Sequence, residues 1–210
     1  MLMRLADPAQ LAKTKDEMRD NLRRRGGDST LLLVGGSAAA KPYIGKTLKQ
    51  VATERGTPAV ETALDMIANG LDMSVASFNM TERDIETFMK NPWVMTSSDG
   101  SDGHPRMFGT YPRKIRQYVL DRKVITMQRM VQASSAQVAQ TYGIADRGEL
   151  KTGAFADVIV FDPKTIREQA TYVEPTKLST GMRFVFVNGQ MAVREGALTG
   201  ALAGRGLRKR

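Results

Sequence analysis

The residues best suited to chemistry lie together in Thr96-Ser97-Ser98-Asp99-Gly100-Ser101-Asp102-Gly103-His104-Pro105-Arg106. Asp99 lies in the glycine-rich polar loop that follows the strand-like run Pro92-Trp93-Val94-Met95-Thr96. In a parallel α/β barrel, a carboxylate at the C-terminal end of a strand faces the pocket, where it can bind a metal or move a proton. A plainer reading stands beside this one, because Asp-Gly is a common turn dipeptide and both Asp99 and Asp102 fit as turn formers. His104 and Arg106 are ligand-binding groups, or a loop histidine and a surface arginine, and spacing alone does not separate the two. An arginine does offer the planar fork that grips a carboxylate through two N–H bonds.

The elements that must position this loop follow from caps and periodicity. Asp7-Pro8 opens a mostly exposed helix that stops at Gly26-Gly27. Residues 29–34 read as a buried strand, followed by the small-residue loop Gly35-Gly36-Ser37-Ala38-Ala39-Ala40. Two short helices come next, one starting at Thr47 and ending before Gly56, the other starting at Thr57-Pro58 and ending at Asn69-Gly70. The second presents Val60, Ala63, Leu64 and Ile67 on one face. A strand within 71–80, a helix over 82–89 capped by Thr81, and a strand over 92–96 continue the alternation, which predicts an α/β arrangement with parallel strands. After a loop over 101–111, helices are expected over 112–120 and 126–142, the latter ending at Gly143.

Beyond this point the pattern becomes short and strand-like, at Glu149-Leu150 and over 156–161, 182–187 and 190–193. Asn188-Gly189 is a strong hairpin signal. The tail therefore reads as antiparallel β, with a boundary near Asp146 and a long surface connection over 162–181.

Composition narrows the function. The 210 residues include no cysteine and a single histidine, which excludes disulfides, thiolate metal sites and a multi-histidine cage within this sequence. The scattered methionines are read as core filler without a cofactor role. No apolar run approaches the roughly 20 residues needed to span a bilayer, and the N-terminus does not read as a secretory signal, so a cytoplasmic location without membrane association is expected. The net charge of +9 raises nucleic-acid binding. Its clusters, Arg19 with Arg23-Arg24-Arg25, then Arg113, Lys114 and Arg116, then Arg205 with Arg208-Lys209-Arg210, sit near helix or chain ends. Cations at a helix C-terminus complement the backbone dipole, and no zinc-finger or RNP-type motif accompanies them, so no nucleic-acid partner is expected.

Ser98-Asp99-Gly100 followed by His104-Pro105-Arg106 and Gly109-Thr110-Tyr111-Pro112-Arg113 resembles the N-acyl-D-amino-acid deacylase family of the amidohydrolase superfamily. The resemblance takes in Gly45-Lys46-Thr47-Leu48 and Met80-Thr81-Glu82-Arg83-Asp84-Ile85 upstream. Downstream it continues through Ala145-Asp146-Arg147-Gly148-Glu149-Leu150, the run from Gly153 to Pro163, Val187-Asn188-Gly189, Gly196-Ala197-Leu198-Thr199-Gly200 and Gly204-Arg205.

It implies an α/β fold, the C-terminal part of a TIM-like (β/α) barrel over 1–145 followed by part of a small β-sandwich domain over 146–210. It also implies zinc and a small-molecule N-acyl-D-amino acid substrate whose amide is hydrolysed. Asp99 matches the aspartate that takes a proton from the attacking water and is a possible metal ligand. Arg106 matches a residue that holds the substrate carboxylate, and His104 shapes the same loop. The family's His-x-His, bridging cysteine and later ligand histidines have no counterparts here. The expectation is thus a fragment, inactive and without bound zinc when alone, or a subunit whose partner chain supplies the missing N-terminal half. Two alternatives are a non-catalytic paralogue or assembly partner, and an amidohydrolase acting on a dipeptide or cyclic ureide.

Overall fold

The computed structural model describes residues 6–101 and 103–207, so Asp102 and the basic Arg208, Lys209 and Arg210 lie outside the described residues. The chain divides into two units, Met1–Thr81 and Glu82–Arg210.

In the first unit, helix α1 (Pro8–Arg24) starts where Asp7 accepts hydrogen bonds from the backbone N–H of Ala9 and Gln10, at 2.9 and 3.4 Å. It ends with Arg23 and Arg24 against the negative end of its dipole, as expected. Strand β1 (Leu31–Gly36) leads to α2 (Leu48–Arg55), which Thr47 and Gln50 close with a capping box, and then to α3 (Ala59–Ala68) and β2 (Met73–Ser77). Gly56 takes the left-handed conformation, φ 64°, that ends α2. The core joins Leu33, Val51 and Met66, with Tyr43, Leu71 and Met73 packed on it. Thr62 of α3 is buried as well, and its hydroxyl is satisfied by the Pro58 carbonyl at 3.0 Å and the Thr57 hydroxyl at 2.7 Å.

The expected parallel pairing is not found here: β1 and β2 pair antiparallel, with Leu31 opposite Ser77 and Leu33 opposite Val75. Between them lie two packed helices instead of one. Each helix reverses the chain, so a single-helix crossover returns a parallel strand, whereas a pair returns an opposed one.

In the second unit, α4 (Glu82–Lys90) is followed by an extended segment in which 92–96 forms no strand. Pro92 has no N–H to offer a ladder. A side chain and a backbone carbonyl hold the segment instead: Arg129 donates to the carbonyls of Asn91 and Val94 at 3.1 and 2.7 Å, and the Thr96 N–H donates to Ala133 O at 2.9 Å.

Helix α5 (Arg106–Arg113) begins six residues earlier than the expected 112 and runs without a break into a π-helical stretch, Lys114–Asp121. Pro112, inside it, cannot donate to the carbonyl of Phe108. The Ser179 hydroxyl takes that place at 2.9 Å. Helices α6 (Met127–Ser134) and α7 (Ala136–Tyr142) fill the expected 126–142, with left-handed Gly143 as the cap.

The tail is antiparallel as expected, four strands in the order β3 (Val158–Phe161), β4 (Met182–Val187), β5 (Gln190–Arg194) and β6 (Ala197–Leu198). Asn188 and Gly189 turn β4 into β5 with φ of 50° and 80°, the two positive values of a type I′ turn. Glu149-Leu150 is not a strand, and Leu150 is exposed.

The connection over 162–181 is more than a surface crossing. Ile166 within it is fully buried in a core with Ile115, Val119, Ile125 and Met130, against which Phe161 and Met182 pack. Gly181, φ 80°, is the position that lets the backbone close on Ile166, since a Cβ there would stand 2.4 Å from the Ile166 N and Cα atoms.

Candidate functional site

Asp99 is the residue at which the extended segment turns into the loop. Its φ of 45° is left-handed, a conformation that aspartate tolerates better than most side chains, and its N–H is received by the Ser97 hydroxyl at 3.2 Å. The turn-former reading of Asp99 is therefore correct as local structure. It leaves the carboxylate free to act, because the side chain projects outward, 81% exposed, and meets one cation, Arg106, at 2.9 Å.

Arg106 occupies the first position of α5, where its guanidinium also donates to the Ser101 hydroxyl at 3.2 Å. Among the described residues its Nε is buried without a hydrogen-bond partner, so this guanidinium holds unused donor capacity next to Asp99. The Arg106 N–H donates to His104 Nδ1 at 3.1 Å, which makes that ring nitrogen an acceptor and places the remaining proton of the neutral ring on Nε2. Burial lowers the His104 pKa, the Arg106 charge lowers it further, and Asp99 opposes both. The three residues singled out in sequence, Asp99, His104 and Arg106, are thus brought together.

Sequence reasoning missed the role of Tyr172 beside them and of Lys114 nearby. Tyr172, on the 162–181 connection, meets the His104 ring edge-on with centroids 5.0 Å apart. Burial raises its phenol pKa, while Arg113 and Arg106 pull it back. The connection also touches α5 at Gly109, where a Cβ would stand 3.2 Å from Glu168 Cβ. No sequence pattern announces Tyr172, which lies far from the loop in the chain.

Lys114 bonds to Thr96, at the start of the stretch singled out in sequence. Lys114 was grouped in sequence with Arg113 and Arg116 as a basic cluster near a helix end, yet it is only 8% exposed, and its ammonium donates to the Thr96 hydroxyl at 2.6 Å. The Ser134 hydroxyl reaches the same Thr96 oxygen at 3.0 Å. Burial pushes the Lys114 pKa down to about 8, with the charge of Arg129 adding to the effect. A polar residue three positions before Asp99 was the available signal for this contact, and it has meaning only once its partner is known.

The chain thus mixes helices and strands and sets a carboxylate and an arginine together at the entrance of a helix. This chain belongs to the amidohydrolase family, whose model matches residues 4–193. It is 34% identical over 165 residues to D-aminoacylase of Alcaligenes xylosoxydans xylosoxydans, covering 77% of this chain and 33% of that protein. N-acyl-D-glutamate deacylase of the same organism is 34% identical over 149 residues, covering 69% of this chain and 30% of that protein.

Among solved structures, a crystal structure of D-aminoacylase matches with a TM-score of 0.72 at 29% identity, over 83% of this chain and 37% of that one. N-acyl-D-glutamate deacylase from Bordetella bronchiseptica, complexed with zinc and a phosphonate inhibitor, matches with a TM-score of 0.70 at 27% identity, over 88% of this chain and 42% of that one. The chain spans about a third of the length of the curated relatives it matches.

The residues present do not fit a complete metal centre. Among the described residues, no three of His, Cys, Asp and Glu come together to hold an ion. A catalytic zinc takes three protein ligands and keeps one open position, and Asp99 supplies at most one of the three. No helix among the described residues is long and apolar enough to cross a membrane.

Proposed function

We propose that this chain is the C-terminal portion of an enzyme that hydrolyses the amide bond of N-acyl-D-amino acids, releasing a carboxylate and the free D-amino acid. In this reading, residues 1–145 are the closing part of a (β/α) barrel and 146–210 part of its small β-sandwich. Asp99 takes the proton of the water that attacks the amide carbonyl and returns it to the leaving nitrogen. Arg106 turns its fork toward the substrate carboxylate, and His104, with Nδ1 committed to the Arg106 N–H, fixes the loop. Zinc in the complete enzyme would be held by ligands outside these residues, with Asp99 a group here that could join them. The rest of the fold comes from the same polypeptide or from a second chain.

The observation that carries this reading is the 2.9 Å Asp99–Arg106 pair, a base and a carboxylate binder set side by side on one loop. The test is hydrolysis of N-acetyl-D-amino acids by this chain after co-expression with the N-terminal portion of a related D-aminoacylase, with zinc content measured on the product. Activity that appears only with the complement and disappears in Asp99→Ala supports the proposal. A folded, zinc-loaded complex without activity on any N-acyl-D-amino acid overturns it, as does activity that survives the Asp99 substitution.

A further inference from the structure

The segment that presents Asp99 is held at both of its ends by one helical rod. Arg106, the first residue of α5, pairs with Asp99, and Lys114, where α5 passes into the π-helical stretch, bonds to Thr96. Between these points the Ser97–Asp99 turn bond is the internal one among the described residues. The two grips differ in kind. The Arg106 contact is exposed and exchangeable with solvent or a ligand, whereas the Lys114 contact is part-buried and made by a buried lysine. Position at the Asp99 end is therefore inherited from the Thr96 end.

We propose that Lys114 is a positioning residue for Asp99, its bond to Thr96 setting where the segment leaves the protein interior and hence where the carboxylate stands. The catalytic meaning of that position rests on the proposed role of Asp99; the grip itself does not.

A buried lysine carries a desolvation cost that an apolar residue of the same length would not, so its use here needs a return. Geometry supplies one. The Thr96 hydroxyl accepts from both Lys114 and Ser134, and its own N–H is fixed on Ala133. The charged group facing Lys114 is Arg129 of α6, which lowers its pKa and is itself occupied with the carbonyls of Asn91 and Val94 and the Gln137 side chain. The neighbouring 94–96 segment and Ser134 present hydroxyls, main chain and apolar groups. The ammonium gives Thr96 a charge-assisted bond, and the neutral amine gives a weaker one. Loss of the Lys114 proton should therefore loosen the segment without unfolding it.

The experiment is an NMR pH titration of the chain itself from about pH 6.5 to about pH 10. It follows the Lys114 side-chain carbon beside the amine, the backbone amides of Ser97, Ser98 and Asp99, and their hydrogen exchange. The Ser98 and Asp99 amides are expected to titrate with the Lys114 midpoint. Thr96→Val and Lys114→Met should abolish that titration and speed amide exchange at 97–99 about tenfold, while Thr96→Ser retains wild-type behaviour. Asp99 amides that ignore the Lys114 titration, or a Thr96→Val chain indistinguishable from wild type, overturn the proposal. If Lys114→Met does not fold, the comparison of Thr96→Val with Thr96→Ser decides alone. None of these readouts is turnover, so an absence of deacylase activity would count against the functional reading and leave this result standing.

Discussion

Asp99 and Arg106 satisfy one another at 2.9 Å. The carboxylate proposed to move a proton thus rests on the guanidinium proposed to bind the substrate's carboxylate, and a substrate can take the place of Asp99 on Arg106. Exposed pairs of this kind contribute about 0–1 kcal/mol to stability. Asp99→Asn and Arg106→Ala should therefore each leave chemical denaturation within about 1 kcal/mol of wild type. In the complemented enzyme, Asp99→Asn should lower kcat by about two to four orders of magnitude. Arg106→Ala should act mainly on KM, so steady-state kinetics on the two variants separate the roles.

Lys114 makes stability depend on pH with a definite sign. Its folded pKa, about 8, lies below its ordinary 10.5, so between those values the unfolded chain binds more protons. Stability should rise as pH increases through this window, and the cost of the buried charge is in full force below about pH 8. Lys114→Met should therefore remove the rise in stability between about pH 8 and pH 10.5. Urea denaturation at several pH values measures it.

His104 carries a similar sign at lower pH. Its folded pKa is held below 6.5, chiefly by burial, and Nδ1 is committed as an acceptor from Arg106. Stability should fall as pH drops through 6.5 toward the folded pKa, because the unfolded chain takes up the proton first. His104→Gln should flatten that part of the profile while leaving the Lys114 window intact, which thermal melts across the acid range would reveal.

Arg147 organises the antiparallel tail. Only 10% exposed at its side chain, it ion-pairs with Asp157, donates to the Asn188 side chain and lies over the Phe155 ring at 4.3 Å. Asp157 in turn receives the Asn188 N–H at 2.8 Å, and burial, which raises its pKa, is overcome by these hydrogen bonds and the guanidinium. Arg147→Ala should cost about 2–4 kcal/mol, and lysine, which lacks the fork, should not restore it. Denaturant midpoints of the variants check both statements.

Ile166 and Gly181 tie the long connection to the core. Ile166→Ala should cost about 2–5 kcal/mol through the cavity it leaves. Gly181→Ala should cost a comparable amount, because its Cβ would meet Ile166 backbone that cannot step aside. Both effects would be lost if the connection were the loose surface crossing that its sequence suggests.

What the sequence alone determined is local. Asp7-Pro8 starts a helix, Thr47 with Gln50 caps another and Asn188-Gly189 makes a hairpin, because each rests on a hydrogen bond or a backbone preference complete within a few residues. The Asp99–His104–Arg106 loop was legible for the same reason, its members being close in the chain. Tertiary structure decided the rest. The direction of β2 depended on two helices packing, residues 92–96 were held by Arg129 and Ala133 instead of a ladder, and α5 began at Arg106 with its break at Pro112 mended by Ser179. Lys114, Tyr172 and Ile166 read as surface residues or loop filler until folding brought Thr96, His104 and Ile115 to them. Burial and charge at a site belong to the partners that surround a residue, and for these three the partners are remote in the chain.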